Sequence, residues 1–131
     1  MKKPRSAVTG IAPQFLVDDL DRAVAYYRDK LGFELDFTYE SFYASVSRDG
    51  CAIHLKHGHV PAEERTRRRA DEHLDAYVSV EGVGVLFGEL ETRGAHVIQP
   101  LTQQAWSCLD FLVQDADGYI LCFSEVLEEA E

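Results

Sequence analysis

The sequence predicts an α+β domain made of two βαβββ modules, and three observations support this. The chain has 131 residues, which suits one domain of ordinary size. Each half contains one helical pattern among several short strand patterns, whereas a doubly wound fold would need more crossover helices. The halves also repeat, since Gly32 and Gly94 lie 62 residues apart and the Asp49-Gly50 and Asp117-Gly118 pairs lie 68 residues apart. We expect one domain over 1–131, with module one at about 9–57, a linker at about 58–72 and module two at about 73–126.

The first half begins with a strand pattern at 12–17, after which Asp18 or Asp19 is suited to cap a helix. Gly32 ends that helix because glycine readily adopts the left-handed conformation past a helix C-terminus. Strands follow at 33–37, 43–47 and 51–56, and the last two are joined by a hairpin turn at Asp49-Gly50. The apolar residues at helical spacing are Leu20, Ala23, Val24, Tyr27 and Leu31.

The second half repeats this order after an arginine-rich linker. A strand is predicted at 74–80, a helix opens at Glu81 and ends at Gly94, and strands follow from 97, at 109–113 and at 119–125. Gly84 and Gly88 weaken this helix. The linker stretch 63–69 (EERTRRR) allows a phosphate-recognising helix, but acidic neighbours cancel much of its field, which favours a solvated linker.

Charge and cysteine content narrow the classes of partner. The formal net charge is −10 and the pI is about 4.9, so the surface repels nucleic acid. The same charge attracts cationic ligands, and the alternative is that it only confers solubility. No apolar run is long enough for a membrane span, and no apolar segment follows the basic start as in a secretory signal. Three cysteines without CxxC spacing argue against a disulfide framework. We expect a cytoplasmic protein.

Several stretches resemble the vicinal oxygen chelate superfamily, which contains glyoxalase I, fosfomycin-resistance enzymes, extradiol dioxygenases and bleomycin-resistance proteins. They are 15–27 (FLVDDLDRAVAYY), 31–33 (LGF), Trp106 and 110–118 (DFLVQDADG), and the likeness spans about 10–125. The stretch 106–118 is most similar to the bleomycin-resistance branch, although Ser107, Leu109, Asp110 and Ala116 depart from its pattern. The resemblance implies the glyoxalase/bleomycin-resistance fold, a cup-shaped mixed sheet with helices on its outer face. The fold hosts several chemistries, so it leaves the function open.

The resemblance also implies where a metal would bind. Enzymes of this superfamily use one residue from each of four strands, and those positions fall here on Ala12, His54, Asp75 and Cys122. Alanine has no donor atom, and Asp75 and Cys122 depart from the usual His, Glu or Gln. A three-ligand zinc site remains open. We predict no metal and no other cofactor.

Other chemistries have weaker support in the sequence. It has no Gly-rich phosphate loop and no GxSxG nucleophile elbow. His54, Asp75 and Cys122 form a conceivable Cys-His-Asp triad, but no oxyanion hole can be identified. We therefore expect binding rather than catalysis.

The predicted binding site lies on the concave side of the sheet, where strand alternation places Gln14, His54, Asp75, Tyr77, Asp110 and Cys122. Trp106 lies where the bleomycin-resistance branch places a ligand-stacking tryptophan, and Phe42 falls near that branch's pocket phenylalanine. The resemblance implies a homodimer that sequesters a cationic aromatic ligand or antibiotic. The alternatives are a metal-dependent lyase, isomerase or dioxygenase with a degenerate ligand set, and a sensor or carrier of another metabolite. The predicted ligand-binding residues are Phe42, His54, Asp75, Tyr77, Trp106, Asp110 and Cys122.

Overall fold

The computed structural model describes residues 4–127 and contains two four-stranded mixed sheets and three helices. The predicted α+β class with two βαβββ modules is confirmed. In chain order the elements are β1 (Gln14–Val17), α1 (Leu20–Asp29), β2 (Glu34–Tyr39), β3 (Tyr43–Arg48), β4 (Cys51–His57), α2 (Glu63–Ala70), β5 (Ala76–Ser79), α3 (Val83–Arg93), β6 (Val97–Gln103), β7 (Cys108–Gln114) and β8 (Ile120–Val126).

The two sheets have the same topology. The first has the strand order β1-β4-β3-β2 and the second β5-β8-β7-β6, and in each the first strand pairs in parallel with the last strand of its module. The remaining pairs are antiparallel. Asp49 and Gly50, with φ of 50° and 81°, form the predicted tight turn between β3 and β4. The internal repeat of the sequence therefore corresponds to a repeat of structure.

Helix α1 follows the predicted pattern closely. Asp19 is its N-cap, and the carboxylate accepts a hydrogen bond from the backbone N of Arg22 at 3.0 Å. Leu20, Ala23 and Val24 face the first sheet and are buried. This apolar face covers the side of the sheet that carries the core residues of β1, β3 and β4, which are Phe15, Val17, Ala44, Val46, Ile53 and Leu55.

Helix α3 forms despite its two internal glycines, although it begins at Val83 and not at the predicted Glu81. Gly82 adopts a left-handed conformation there, with φ of 76°, and offers no capping side chain. The carboxylate of Glu125 replaces that cap from β8, accepting the backbone N–H groups of Gly82 and Val83 at 3.1 Å each. A residue 42 positions away thus satisfies the helix N-terminus.

The linker differs from the prediction of a plain solvated connection, because Glu63–Ala70 form helix α2. Glu64 supports the helix through ion pairs with Arg67 at 2.7 Å and Arg68 at 3.9 Å. Arg68 also packs over the ring of Tyr119, with its guanidinium carbon 4.3 Å from the ring centre. Contacts with module two therefore stabilise a helix that has no apolar stripe of its own.

Buried contacts join the modules into one core. The rings of Phe15 and Tyr119 stack 4.3 Å apart, and the Tyr27 hydroxyl donates to Asp115 at 2.6 Å. Between β3 and α3, Arg48 forms a two-point ion pair with Glu89, with both N–O distances 2.8 Å. The Tyr27 contact holds α1 against module two, and the Phe15 and Arg48 contacts hold β1 and β3 against it.

Candidate functional site

Each sheet has one face turned away from the helices, which we call its open face. On the first sheet the register places Gln14, His54 and Ser45 in one row across three strands. On the second it places Tyr77, Cys122 and Leu112 in an equivalent row. Side chains that pair across neighbouring strands lie on the same face. The predicted orientation of Gln14, His54, Tyr77 and Cys122 thus agrees with the strand register.

A short hydrogen-bond chain organises the open face of the first sheet. The Gln14 amide donates to the Tyr43 hydroxyl at 2.9 Å, and that hydroxyl lies 2.9 Å from Nδ1 of His54. The Gln14 amide nitrogen can only donate, so the Tyr43 hydroxyl has its own proton available for Nδ1. In the neutral ring this direction places the proton on Nε2, so the second ring nitrogen of His54 is an N–H donor.

Exposed aromatic rings surround this chain. Phe37 lies 6.5 Å from the His54 ring in an edge-on arrangement, and Tyr39 extends the row beside it. Phe42, in the turn between β2 and β3, is 45% exposed and carries the Lys56 ammonium 5.5 Å above its ring. The contact shows that the Phe42 ring accommodates a cation.

The open face of the second sheet is more enclosed by neighbouring side chains than that of the first sheet. Tyr77 is 55% exposed, but Asp110 is only 5% exposed and accepts hydrogen bonds from the side-chain amides of Gln99 at 3.2 Å and Gln104 at 2.9 Å. Two neutral donors therefore already bind one oxygen of this carboxylate, Oδ1. The amides of Gln99 and Gln104 therefore separate the Asp110 carboxylate from a cation on the open face.

Cys122 is buried beside Asp110. Burial raises the pKa of the Cys122 thiol to about 11, and the charge of Asp110 contributes in the same direction. The thiol is therefore protonated at neutral pH, which disfavours both nucleophilic attack and metal ligation. Its environment is that of a small buried apolar residue.

Asp75 lies at the edge of the second sheet and is occupied by contacts within the chain. One carboxylate oxygen accepts the backbone N–H of Ile120 at 2.9 Å. The other oxygen lies 3.1 Å from Nε2 of His73 and 3.7 Å from Nε of Arg68. Asp75 thus anchors the linker helix to module two.

Trp106 is the most exposed of the seven predicted ligand-binding residues, at 67%. It lies in the turn between β6 and β7, two residues before β7 begins at Cys108. The turn is closed by a hydrogen bond from the Gln104 N–H to the Cys108 carbonyl at 2.7 Å. The indole is therefore displayed at the rim of the second sheet.

The implied metal positions do not assemble into a ligand set that suits a metal. Ala12 offers no donor, the Cys122 thiol is protonated, and Asp75 is taken up by Ile120 and Arg68. Across residues 4–127, no three His, Cys, Asp or Glu side chains converge in a way that could hold an ion. The residues present do not fit the metal of the vicinal oxygen chelate enzymes.

The sequence prediction missed three features of the open faces. Tyr43 is not among the seven predicted ligand-binding residues, yet its hydroxyl orients His54. Phe37 and Gln104 also contribute, the first to the aromatic rim and the second to the enclosure of Asp110. Phe37 lies two residues before Tyr39 on β2, so strand alternation predicts that the two rings share a face. The contact of Gln104 with Asp110 depends on the geometry of a turn, which residue spacing does not predict.

Residues 11–123 match the family model of the glyoxalase/bleomycin resistance protein/dioxygenase superfamily. The chain belongs to this superfamily. The predicted resemblance is therefore confirmed over nearly the whole chain. Among curated proteins, none is significantly similar to this member.

Solved structures of other proteins share the fold. The bleomycin-binding protein from bleomycin-producing Streptomyces verticillus, complexed with copper(II)-bleomycin, is 22% identical with a TM-score of 0.67, and the match covers 95% of this chain and 100% of that one. TioX from Micromonospora sp. ML1 is 20% identical with a TM-score of 0.68, covering 94% and 100%. A glyoxalase-related enzyme from Clostridium phytofermentans is 19% identical with a TM-score of 0.76, covering 95% and 100%. At these identities the similarity establishes the fold, which both binding proteins and enzymes share.

None of the helices between residues 4 and 127 combines the length and apolar character that crossing a lipid bilayer requires.

Proposed function

We propose that this protein binds a cationic aromatic small molecule without a metal and without transforming it, as a bleomycin-resistance type of binding protein. The observation that carries the proposal is the set of aromatic side chains left exposed on the open faces and in the turns at their rims. They are Phe37, Tyr39, Phe42, Tyr77 and Trp106.

A second copy of the chain would complete the binding cleft. Apolar side chains that are exposed together on one face of a sheet are typical of an interface or a ligand site, and those of the first sheet form its apolar patch. Leu16 extends the patch on the first sheet and is 42% exposed. A homodimer would bring two open faces together around the ligand, with aromatic rings on both sides of the cleft.

Charge and stacking would have different roles in this cleft. The net charge of −10 and the buried carboxylate of Asp110 favour a cation and accelerate its encounter with the protein. Stacking on Trp106 and Phe42 would supply most of the affinity, at about 0.5–2 kcal/mol for each cation–π contact. The mechanism is stoichiometric capture, in which no bond is made or broken.

The alternative is a metal-dependent lyase or oxidoreductase of the glyoxalase or dioxygenase kind with a degenerate ligand set. The similarity of fold to a glyoxalase-related enzyme favours it, and His54 remains as one conventional ligand. The protonated Cys122 thiol and the missing donor at Ala12 count against it.

Calorimetry with a cationic bleomycin-type drug and a neutral aromatic analogue, at two salt concentrations, tests the proposal. We expect Trp106→Ala to weaken drug binding by more than about 1 kcal/mol, because a stacking surface is lost. Asp110→Asn should weaken it mainly at low salt, where the field of the carboxylate is least screened. Val85→Ala, on the exposed side of α3, is the matched control for an exposed apolar residue outside the cleft.

Two outcomes would contradict the proposal. Equal affinity for the neutral analogue would remove the electrostatic part of the idea. Turnover of a thioester, a glutathione adduct or a catechol, with no binding in the drug panel, would favour the enzyme.

A further inference from the structure

A cleft of about 640 Å³ lies between α1, the linker helix α2 and the turn that joins β7 to β8. Its volume falls within the range of small-molecule sites. None of the seven predicted ligand-binding residues lines it. The walls are mainly apolar, with the ring of Tyr26 on one side and the methyl groups of Ala70 and Ala116 on the others. The cleft is therefore a separate place where a small molecule could bind.

Arg69, His96 and Thr66 provide hydrogen-bond donors at the cleft. Arg69 projects from the linker helix and donates a hydrogen bond to the side-chain oxygen of Gln114. This bond uses one of the five N–H groups of the Arg69 guanidinium. His96 is held in place by a hydrogen bond from its backbone N to the Tyr26 hydroxyl at 3.0 Å, and its ring is exposed at the rim. Thr66 adds a hydroxyl from the same face of α2 as Arg69.

One carboxylate, that of Asp115, also lines the cleft, but it points into the protein. Its oxygens accept hydrogen bonds from the Tyr27 hydroxyl at 2.6 Å and from the backbone N–H groups of Asp117 and Tyr119 at 2.9 Å each. These donors offset its charge, so the donors on Arg69 and His96 dominate at the mouth. This local character contrasts with a chain whose net charge is −10.

We propose that this cleft binds a small organic anion with an apolar body, such as an aromatic carboxylate or sulfonate. The apolar body would lie against Tyr26, Ala70 and Ala116, and the anionic group would accept hydrogen bonds from Arg69 and His96. The site is distinct from the open faces and takes a ligand of opposite charge. It does not depend on the function proposed for the open faces.

Two fluorescent probes test this directly, the anion anilinonaphthalene sulfonate and its uncharged counterpart phenylnaphthylamine. We expect the anion to bind more tightly, and Arg69→Gln to weaken its binding by about five-fold or more while leaving the neutral probe unchanged. Arg67→Gln is the matched control, because Arg67 lies on the same helix and pairs with Glu64 outside the cleft. It should change neither affinity. Backbone amide shifts on probe titration should be largest near Thr66, Arg69 and His96.

A second variant covers the case in which Arg69→Gln unfolds the protein. Ala70→Trp fills the cleft from an exposed position and keeps every charge, so it should weaken the binding of both probes. Equal effects of Arg69→Gln and Arg67→Gln would overturn the proposal. The proposal would also be overturned if the probe still bound to the Ala70→Trp variant but no longer bound to the Trp106→Ala variant. The probe would then lie at the open face of the second sheet and not in the cleft. Absence of binding by the anionic probe would also overturn it.

Discussion

The two modules have the same topology but fill equivalent positions with different side chains. Opposite Leu55 in the first sheet lies Ala44, whereas opposite Phe123 in the second lies Phe111. On the open faces, His54 pairs with Ser45 in the first module and Cys122 pairs with Leu112 in the second. The repeated strands and turns therefore determine the fold. The side chains at equivalent strand positions make the open face of the first sheet polar and aromatic and that of the second more enclosed.

The largest effect is expected in the cores. Phe111→Ala removes a fully buried ring that stacks on Phe123 and meets Phe87 edge-on, both with centres 5.2 Å away. We expect it to lower the free energy of unfolding by about 3–5 kcal/mol, because a cavity remains. The reverse change, Ala44→Phe, should cost about 1–3 kcal/mol or more through overpacking. Urea unfolding measures both changes. If neither substitution lowered the free energy of unfolding, the two cores would not be specialised.

Two carboxylates that join the modules should give opposite dependence of stability on pH. Burial raises the pKa of Asp115 from 3.8 to about 6, so the folded state holds its proton more tightly than the unfolded state. Stability from this group is highest at low pH and falls as the pH rises from about 4 to 6. Hydrogen bonds from Arg48, and then from Arg93, lower the pKa of Glu89 from 4.5 to about 2. Its contribution is present above pH 4.5 and is lost as the pH falls through 2.

Isosteric variants separate these two contributions. In urea unfolding between pH 3 and 7, Asp115→Asn should remove the fall in stability between about pH 4 and 6, and Glu89→Gln should remove the loss at the acidic end. Unchanged pH profiles in both variants would show that neither group is responsible.

A smaller effect is expected on the open face of the first sheet. Tyr43→Phe removes the hydroxyl that links Gln14 to His54, and should lower the free energy of unfolding by about 0.5–1.5 kcal/mol. NMR should show the His54 ring losing its preference for one tautomer. Tyr39→Phe is the control, because Tyr39 is an exposed neighbour in the same hairpin. An unchanged His54 tautomer would contradict the orienting role of Tyr43.

The smallest perturbation is thiol labelling, which leaves the fold intact. Cys51 of module one is exposed, and Cys108 and Cys122 of module two are buried. One thiol per chain should react with a disulfide reagent under native conditions, and all three should react in denaturant. Cys51→Ser should abolish the native reaction. Fast labelling of a second thiol would mean that module two opens readily.

Much of the fold was predictable because local signals agree with one another. The Asp49-Gly50 turn, the Asp19 cap and the apolar spacing of α1 each depend on residues close in sequence. Helix α2 was missed because its eight residues have no apolar periodicity, and Arg68 finds its stacking partner Tyr119 only in the folded chain. Long-range contacts decided that element.

The candidate site was predictable only as far as strand alternation extends. Alternation placed Asp110 on the correct face, but the amides of Gln99 and Gln104 that enclose it come from another strand and a turn. Asp75 likewise satisfies a backbone N–H of Ile120, 45 residues away. Because these partners come together only in the folded chain, spacing along the sequence could not show that both carboxylates have hydrogen-bond partners within the chain.

Titration of chelator-treated protein with metal-free bleomycin, followed by calorimetry and by Trp106 fluorescence, tests metal-independent binding most directly. We expect saturable binding with one drug per chain and a change in the indole emission, because the exposed Trp106 would stack on the ligand. Treatment with the chelator should leave the affinity unchanged. Loss of binding after the chelator, restored by zinc and abolished in His54→Ala, would contradict the proposal and favour the metal-dependent enzyme.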